Sequence, residues 1–223
     1  MKKFTLICSA LFFFILLSGC SQNEFSNLSA FDESSSVNLE DIQTGITKEQ
    51  TMENIKNDRN QEIDTIIANN FSYIDNVSGK ETVANVYGTD LFGVEELADL
   101  LNETKQPDEI SEYIDGQQIL IYQDLFIILK DSEELENVTI IEVASDQFVR
   151  NNYNPSFLQT YFAIRLLDDV LDVDDWGKNR RKYCQTNDCY GGYSSSTGKA
   201  YSGGSTTNRG MSSVRGGGPS SGK

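Results

Sequence analysis

The sequence predicts an α+β fold: one small domain with an antiparallel β-meander packed by helices, flanked by a disordered N-terminal tether and a disordered C-terminal tail. Three observations predict it. Apolar runs of strand length at residues 119–122, 125–129 and 138–143 are separated by short polar turns, as in a meander. Apolar residues at helical spacing stand both before and after those runs. Both ends of the chain lose apolar content: residues 21–46 are Ser/Asn/Glu-rich and aperiodic, and residues 177–223 are dominated by Gly, Ser and basic residues. Such compositions bury too little apolar surface to fold alone. The folded domain is therefore expected over residues 47–176.

Thr47-Lys48-Glu49-Gln50 has capping-box spacing, in which Thr47 and Gln50 each accept the other's backbone N–H, so a helix starts there. Ile63, Ile66 and Ile67 continue the helical period to Asn69-Asn70. From Phe71 the period changes: Phe71 and Tyr73, then Val83, Asn85 and Tyr87 against Ala84 and Val86, mark two short strands around the turn Ser78-Gly79-Lys80. Val94, Leu97, Leu100 and Leu101 form one face of a second helix, whose first turn carries Glu95 and Glu96 to complement the helix dipole. Pro107 closes that region, and the three apolar runs follow. Asn154-Pro155 then sets an N-cap before proline at the first helical position. Phe157, Leu158, Tyr161, Phe162, Leu166 and Leu167 give this last helix a broad apolar face running to Leu171, with Phe157, Phe162 and Leu166 expected against the meander.

Ahead of the domain, Met1-Lys2-Lys3 is positively charged, and Leu6 to Leu17 is apolar apart from Ser9. This is the layout of a secretory signal. The run falls short of the roughly 20 residues that cross the hydrocarbon core as a helix. It ends in Leu17-Ser18-Gly19-Cys20, an apolar residue and two small ones before a cysteine, the pattern of a bacterial lipobox. Small residues let a peptidase reach the backbone, and the Cys20 thiol is the nucleophile that takes up diacylglycerol before cleavage. Residues 1–19 are read as a lipoprotein signal peptide, Cys20 as the lipidated first residue of the mature chain, and residues 20–46 as a flexible tether. An ordinary signal peptide with an incidental cysteine is the other reading. Two acyl chains of the palmitate type anchor stably where one is marginal. The expected location is the extracytoplasmic face of the cell membrane.

Charge is distributed unevenly. Residues 20–176 hold 33 acidic against 8 basic side chains, whereas residues 177–223 hold 8 basic and one acidic. So acidic a body repels nucleic acid, which argues against DNA or RNA as a partner. The chain has no His, so a Ser–His nucleophile is excluded, and no G-x-S-x-G occurs. Cys184 and Cys189 alone cannot complete a four-ligand zinc site, and their spacing is not the C-x-x-C of redox proteins. An intramolecular disulfide suits an oxidising compartment; a free or intermolecular pair is the alternative. Asp168, Asp169, Asp172, Asp174 and Asp175 crowd five carboxylates into eight residues and imitate the start of an EF-hand loop. Trp176 and Tyr183 fall where ligands are required, so the bidentate glutamate is missing. The run is read as a solvated helix end, or else as a weak Ca²⁺ or polyamine site. Residues 192–200 imitate a phosphate loop but have the wrong glycine spacing and Ala200 in place of the Mg²⁺-binding hydroxyl. No catalytic residue, metal site or cofactor is therefore assigned.

Three stretches are distinctive together: Asp75-Asn76-Val77-Ser78-Gly79, Pro107-Asp108-Glu109-Ile110-Ser111, and residues 148–158, Phe-Val-Arg-Asn-Asn-Tyr-Asn-Pro-Ser-Phe-Leu. With the lipobox in front and the Gly/Ser/Arg-rich tail behind, the chain resembles the bacterial lipoproteins grouped as domain-of-unknown-function family 4247, over about residues 60–170. The resemblance implies an anchored domain and carries no activity with it. Arg150, Asn151, Asn152 and Tyr153 are the candidate binding residues, a polar set between a strand and a helix. The plainer reading is that Asn151 or Asn152 caps the turn while Arg150 pairs with an acid. The expected function is a non-enzymatic binding or interaction module at the membrane surface, with an integral membrane or envelope protein as partner. The alternative is an accessory that takes cationic small molecules, polyamine or Ca²⁺, through its acidic domain.

Overall fold

The computed structural model describes residues 45–194 and, ahead of them, Ile42. The signal peptide, Cys20, the tether except for Ile42 and residues 45–46, and residues 195–223 lie outside the described residues. Elements follow in the order α1 (Lys48–Asn57), α2 (Ile63–Asn70), β1 (Ser72–Ser78), β2 (Val83–Thr89), α3 (Val94–Thr104), β3 (Glu109–Ile110), β4 (Gln117–Tyr122), β5 (Leu125–Asp131), β6 (Thr139–Ser145), α4 (Asp146–Asn152), α5 (Pro155–Leu158), α6 (Ile164–Val170) and α7 (Trp176–Cys184). All six strands join one antiparallel sheet in the order β1-β2-β6-β5-β4-β3. The meander runs β3 to β6, and the β1–β2 hairpin is added along the far side of β6. The last strand in the sequence is thus an interior strand of the sheet.

Alternation along the strands sends side chains to two covered faces. Tyr87, Leu120, Tyr122, Ile127, Leu129, Ile141 and Val143 pack beneath Ile55, Ile63, Ile66, Ile67, Leu97 and Leu101 from α1–α3. On the other face Ala84, Ile119, Ile121, Phe126, Ile128 and Ala144 meet Phe148, Leu158, Phe162, Leu167, Leu171 and Trp176 from α4–α7 and their connections. Fully burying one such Leu, Ile or Phe stabilises by about 1.5–3 kcal/mol, so the helices are held by the sheet more than by their own propensity. The capping box at Thr47 is formed in full, and Asn154 accepts the N–H of Ser156 with Pro155 in the first helical turn.

Two expected helices are each broken. The first stops at Asp58, because Asn57-Asp58-Arg59-Asn60 is poor in helix formers, and the chain turns before Ile63 begins α2. The last breaks at extended Ala163 (φ −63°, ψ 142°), which lets Phe162 enter the core from the turn while Leu167 and Leu171 enter it from α6 and its cap. Phe162 is buried as expected, whereas Phe157 and Leu166 are only half-buried against the same cluster. Strand β3 was not expected; it is two residues long, and Ser111 beside it donates its N–H to Ile119 O and accepts the N–H of Ile119 at Oγ, both at 2.9 Å.

The largest correction concerns residues 177–194. The sequence placed the end of the folded domain at Trp176, yet α7 and the segment after it are packed. Trp176 Nε1 donates to Arg150 O (3.1 Å), Arg180 Nε donates to Tyr153 O (3.0 Å), and Gly177 N–H donates to Asp168 Oδ1 (3.2 Å). Trp176, Cys189, Tyr190 and Tyr193 are all buried. Average composition hid this, since Cys189, Tyr190 and Tyr193, with Trp176 just ahead of them, carry the burial of a stretch that is otherwise polar. The Asp168–Asp175 run ends one helix and leads into the next, so Asp168 meets the N-terminus of α7, where a carboxylate is favourable.

Candidate functional site

Strand β6 runs between β2 and β5 and is buried along almost its whole length. Within it stands one acid, Glu142, 1% exposed, opposite Val86 on β2 and Ile128 on β5. A charged side chain at an interior position of a doubly covered sheet needs partners, because desolvation disfavours its ionised form. Three tyrosines surround it. Tyr153 caps α4 with extended backbone (φ −67°, ψ 149°), is fully buried, and donates from Oη to Glu142 Oε1 at 2.8 Å. Tyr193 donates its backbone N–H to Glu142 Oε2 at 3.1 Å. The Tyr190 hydroxyl is buried beside the same carboxyl.

Burial pushes the Glu142 carboxyl up to about 7, against the tyrosines, the Tyr193 N–H and the Lys130 charge, which all favour the carboxylate. Burial likewise raises Tyr153 and Tyr190 well above the usual phenol range, with the nearby Glu142 charge adding to it. The rings of Phe148, Tyr153 and Tyr190 interlock edge to face, with Tyr153 and Tyr190 centroids 4.9 Å apart and Phe148 and Tyr190 5.7 Å apart.

The C-terminal segment reaches Glu142 by a short parallel bridge. Tyr190 N–H donates to Asn152 O (2.8 Å), and Asn154 N–H donates to Tyr190 O (2.7 Å). Cys184 and Cys189 are joined as a disulfide with Cα atoms 5.5 Å apart, fixing where the segment leaves α7. Gly192 at φ +100° then passes beside the Phe157 ring, a left-handed conformation that glycine adopts without strain. Beyond it, Tyr193 Oη donates to Asp75 (3.4 Å) and Ser194 Oγ donates to Glu133 (3.2 Å).

The residues chosen from sequence are used differently from a pocket lining. Arg150 pairs with Asp146 one turn before it on α4. Asn152 accepts the N–H of Lys80 (3.2 Å) and donates to Phe148 O (2.9 Å), and Asn151 is half-buried on the same helix. Gly79 approaches α4 so closely that an added Cβ would lie 2.9 Å from Asn152 Cγ and from Phe148 Cε2. Two of the three distinctive stretches therefore meet each other. Glu142 was the residue missed; its signal was a single charge inside an apolar strand flanked by Ile141 and Val143. Among the described residues no cluster of His, Cys, Asp and Glu could hold a metal, and no helix is long and apolar enough to cross a membrane.

Fold and site together define an antiparallel α+β domain that closes its own C-terminal segment over a buried carboxyl. The chain belongs to the family described as Domain of unknown function (DUF4247), whose model matches residues 50–223. That match includes the C-terminal segment as well as the sheet. No curated protein and no solved structure matches the chain.

Proposed function

We propose that this is a bacterial lipoprotein, anchored by acylated Cys20 on the extracytoplasmic face of the cell membrane, whose domain binds a membrane or envelope protein there without catalysing a reaction. The anchoring half rests on Leu17-Ser18-Gly19-Cys20 after a short apolar run. The binding half is carried by one observation: the polar groups of Arg150, Asn152 and Tyr153 are engaged in internal bonds. Recognition is then left to the outer surface, where acidic side chains outnumber basic ones. That same surplus favours a second reading, capture of cationic small molecules such as polyamines or Ca²⁺.

Cys20→Ala tests the anchor, since acylation needs the thiol. The variant should accumulate as unprocessed precursor and incorporate no acyl label. Normal processing with retained acyl label would overturn the reading. Crosslinking of the wild-type chain in cells, set beside calorimetry with spermidine and Ca²⁺, separates a protein partner from a cationic ligand.

A further inference from the structure

We propose that Lys80, Arg180, Arg181 and Lys182 form a docking surface for the phosphodiester headgroups of anionic lipid, which sets the domain on the bilayer by its α7 end. Four other cations of the domain, Lys48, Lys105, Lys130 and Arg150, pair with carboxylates. The proposed four form no ion pair among the described residues, and their bonds go to neutral groups. Lys80 Nζ donates to Tyr183 Oη (2.8 Å) and lies 4.4 Å from the centre of its ring. Arg180 Cζ lies 4.6 Å from the same centre, and Arg180 Nε donates to Tyr153 O (3.0 Å). Arg181 Nη1 donates to Gln159 Oε1 (2.9 Å), and Lys182 is exposed. The two ring distances together cap the separation of the Lys80 and Arg180 charges at about 9 Å.

Like charges this close repel, and elsewhere in the domain a carboxylate relieves the cation. Here the acids nearby are engaged or at a distance. Glu81 accepts from Gln147 Nε2 (3.2 Å), Asp168 accepts the Gly177 N–H (3.2 Å), and Asp188 in the disulfide loop has a partner. Asp172, Asp174 and Asp175 all precede α7. Arg181 and Lys182 follow the last of them by six and seven residues, roughly 10 Å along the helix axis. That is about one Debye length at physiological salt, so those carboxylates offset the pair only weakly. Lys80 joins from the β1–β2 turn, 103 residues before Tyr183, so the fold and not local sequence assembles the cluster.

Charge complementarity makes the partner anionic. Cations on the outer face of a helix suit a plane of many headgroups, where several weak contacts add, better than one small anion. The exposed large apolar residues, Ile46, Tyr73, Val83, Ile110 and Tyr113, all lie outside α7, so contact is with headgroups and not by insertion. Cys20 stands 25 residues ahead of Gly45, so an acylated chain keeps this face within reach of lipid. The inference rests on the anchored reading for that proximity. Docking by α7 would leave the α1–α3 layer, across the sheet, facing away from the bilayer.

Co-sedimentation of residues 21–223 with vesicles tests the surface without an acyl chain, so its failure is distinct from failure of the anchor, which Cys20→Ala reads. That chain keeps every element of the described fold. Each cation near an anionic surface contributes about fivefold in partitioning. On equal parts phosphatidylglycerol and phosphatidylcholine, joint Lys80→Gln, Arg181→Gln and Lys182→Gln should lower partitioning roughly 100-fold at an unchanged urea midpoint. Phosphatidylcholine alone should bind neither protein. The same loss should appear in chains ending at Ser194, which lack Lys199, Arg209, Arg215 and Lys223. Equal partitioning of variant and wild type, equal binding to both vesicles, or binding abolished by ending the chain at Ser194 would overturn docking by α7. So would capture by a soluble polymer of phosphodiester units without binding to vesicles. Should the triple variant shift the midpoint, Arg181→Gln with Lys182→Gln, both exposed, decides with a loss of about 25-fold.

Discussion

Replacing Gly79 by alanine probes the contact between the hairpin turn and α4. Gly79 does not use the left-handed region, so alanine adds no backbone strain. By restricting the unfolded chain it even stabilises by about 0.4–1 kcal/mol. The cost is contact. With a Cβ 2.9 Å from Asn152 Cγ, Asn152 must swing away and lose its bonds to Lys80 N–H and Phe148 O. At about 0.5–1.5 kcal/mol each, those bonds come to about 1–3 kcal/mol. Phe148 is fully buried, and crowding its ring edge adds about 1–3 kcal/mol. The net expectation is a loss of about 1–5 kcal/mol. In an Asn152→Ala background the two bonds are already gone, so the same change should cost only about 1 kcal/mol. Urea unfolding of the four proteins, followed by the single tryptophan, Trp176, buried beside α4, measures the cycle. Costs that add to within about 0.5 kcal/mol would refute a shared contact.

Truncation should separate the packed part of the C-terminal stretch from the rest. A chain ending at Ser194 should keep the wild-type urea midpoint, whereas one ending at Gly177 loses Tyr190 and Tyr193, at about 1.5–3 kcal/mol each; equal midpoints would remove that segment from the domain. Joint Cys184→Ser and Cys189→Ser substitution opens a loop with a sequence separation of 5, which should cost about 2 kcal/mol on the chain-entropy account. A loss below about 0.5 kcal/mol would mean that packing alone holds the loop closed.

The strands were legible in the sequence where apolar runs and turns agreed. Residues 119–122, 125–129 and 138–143 all lie within strands, except that Val138 precedes β6 by one residue. The caps at Thr47 and Asn154 were legible because each acts within three residues of itself. The breaks after Asn57 and at Ala163 were not, because both helices resume with apolar residues in phase for packing. Nor was β3, since two residues on a sheet edge leave no period to detect. Glu142 and the fold of residues 177–194 share one cause. Each depends on the other across roughly 50 residues of chain, and a carboxyl that finds its N–H donor at Tyr193 has no local signature. The polar set Arg150–Tyr153 drew notice for its chemistry, but Tyr153 alone reaches the buried carboxyl.

The position of β6 also fixes an order of events during synthesis. It is the sixth strand made and the third in the sheet, lying between the hairpin β1–β2 and the meander β3–β5. Until residues 139–145 exist, the two parts of the sheet have nothing to join them. Each meanwhile presents an unpaired edge, β2 on one and β5 on the other, of the kind that pairs readily with foreign strands. Joining them closes a loop of roughly 55 residues between Val86 and Glu142, an entropic cost met only when both edges zip onto β6 together. A chain made N-terminus first must therefore deliver nearly two thirds of its length before its sheet can become one piece.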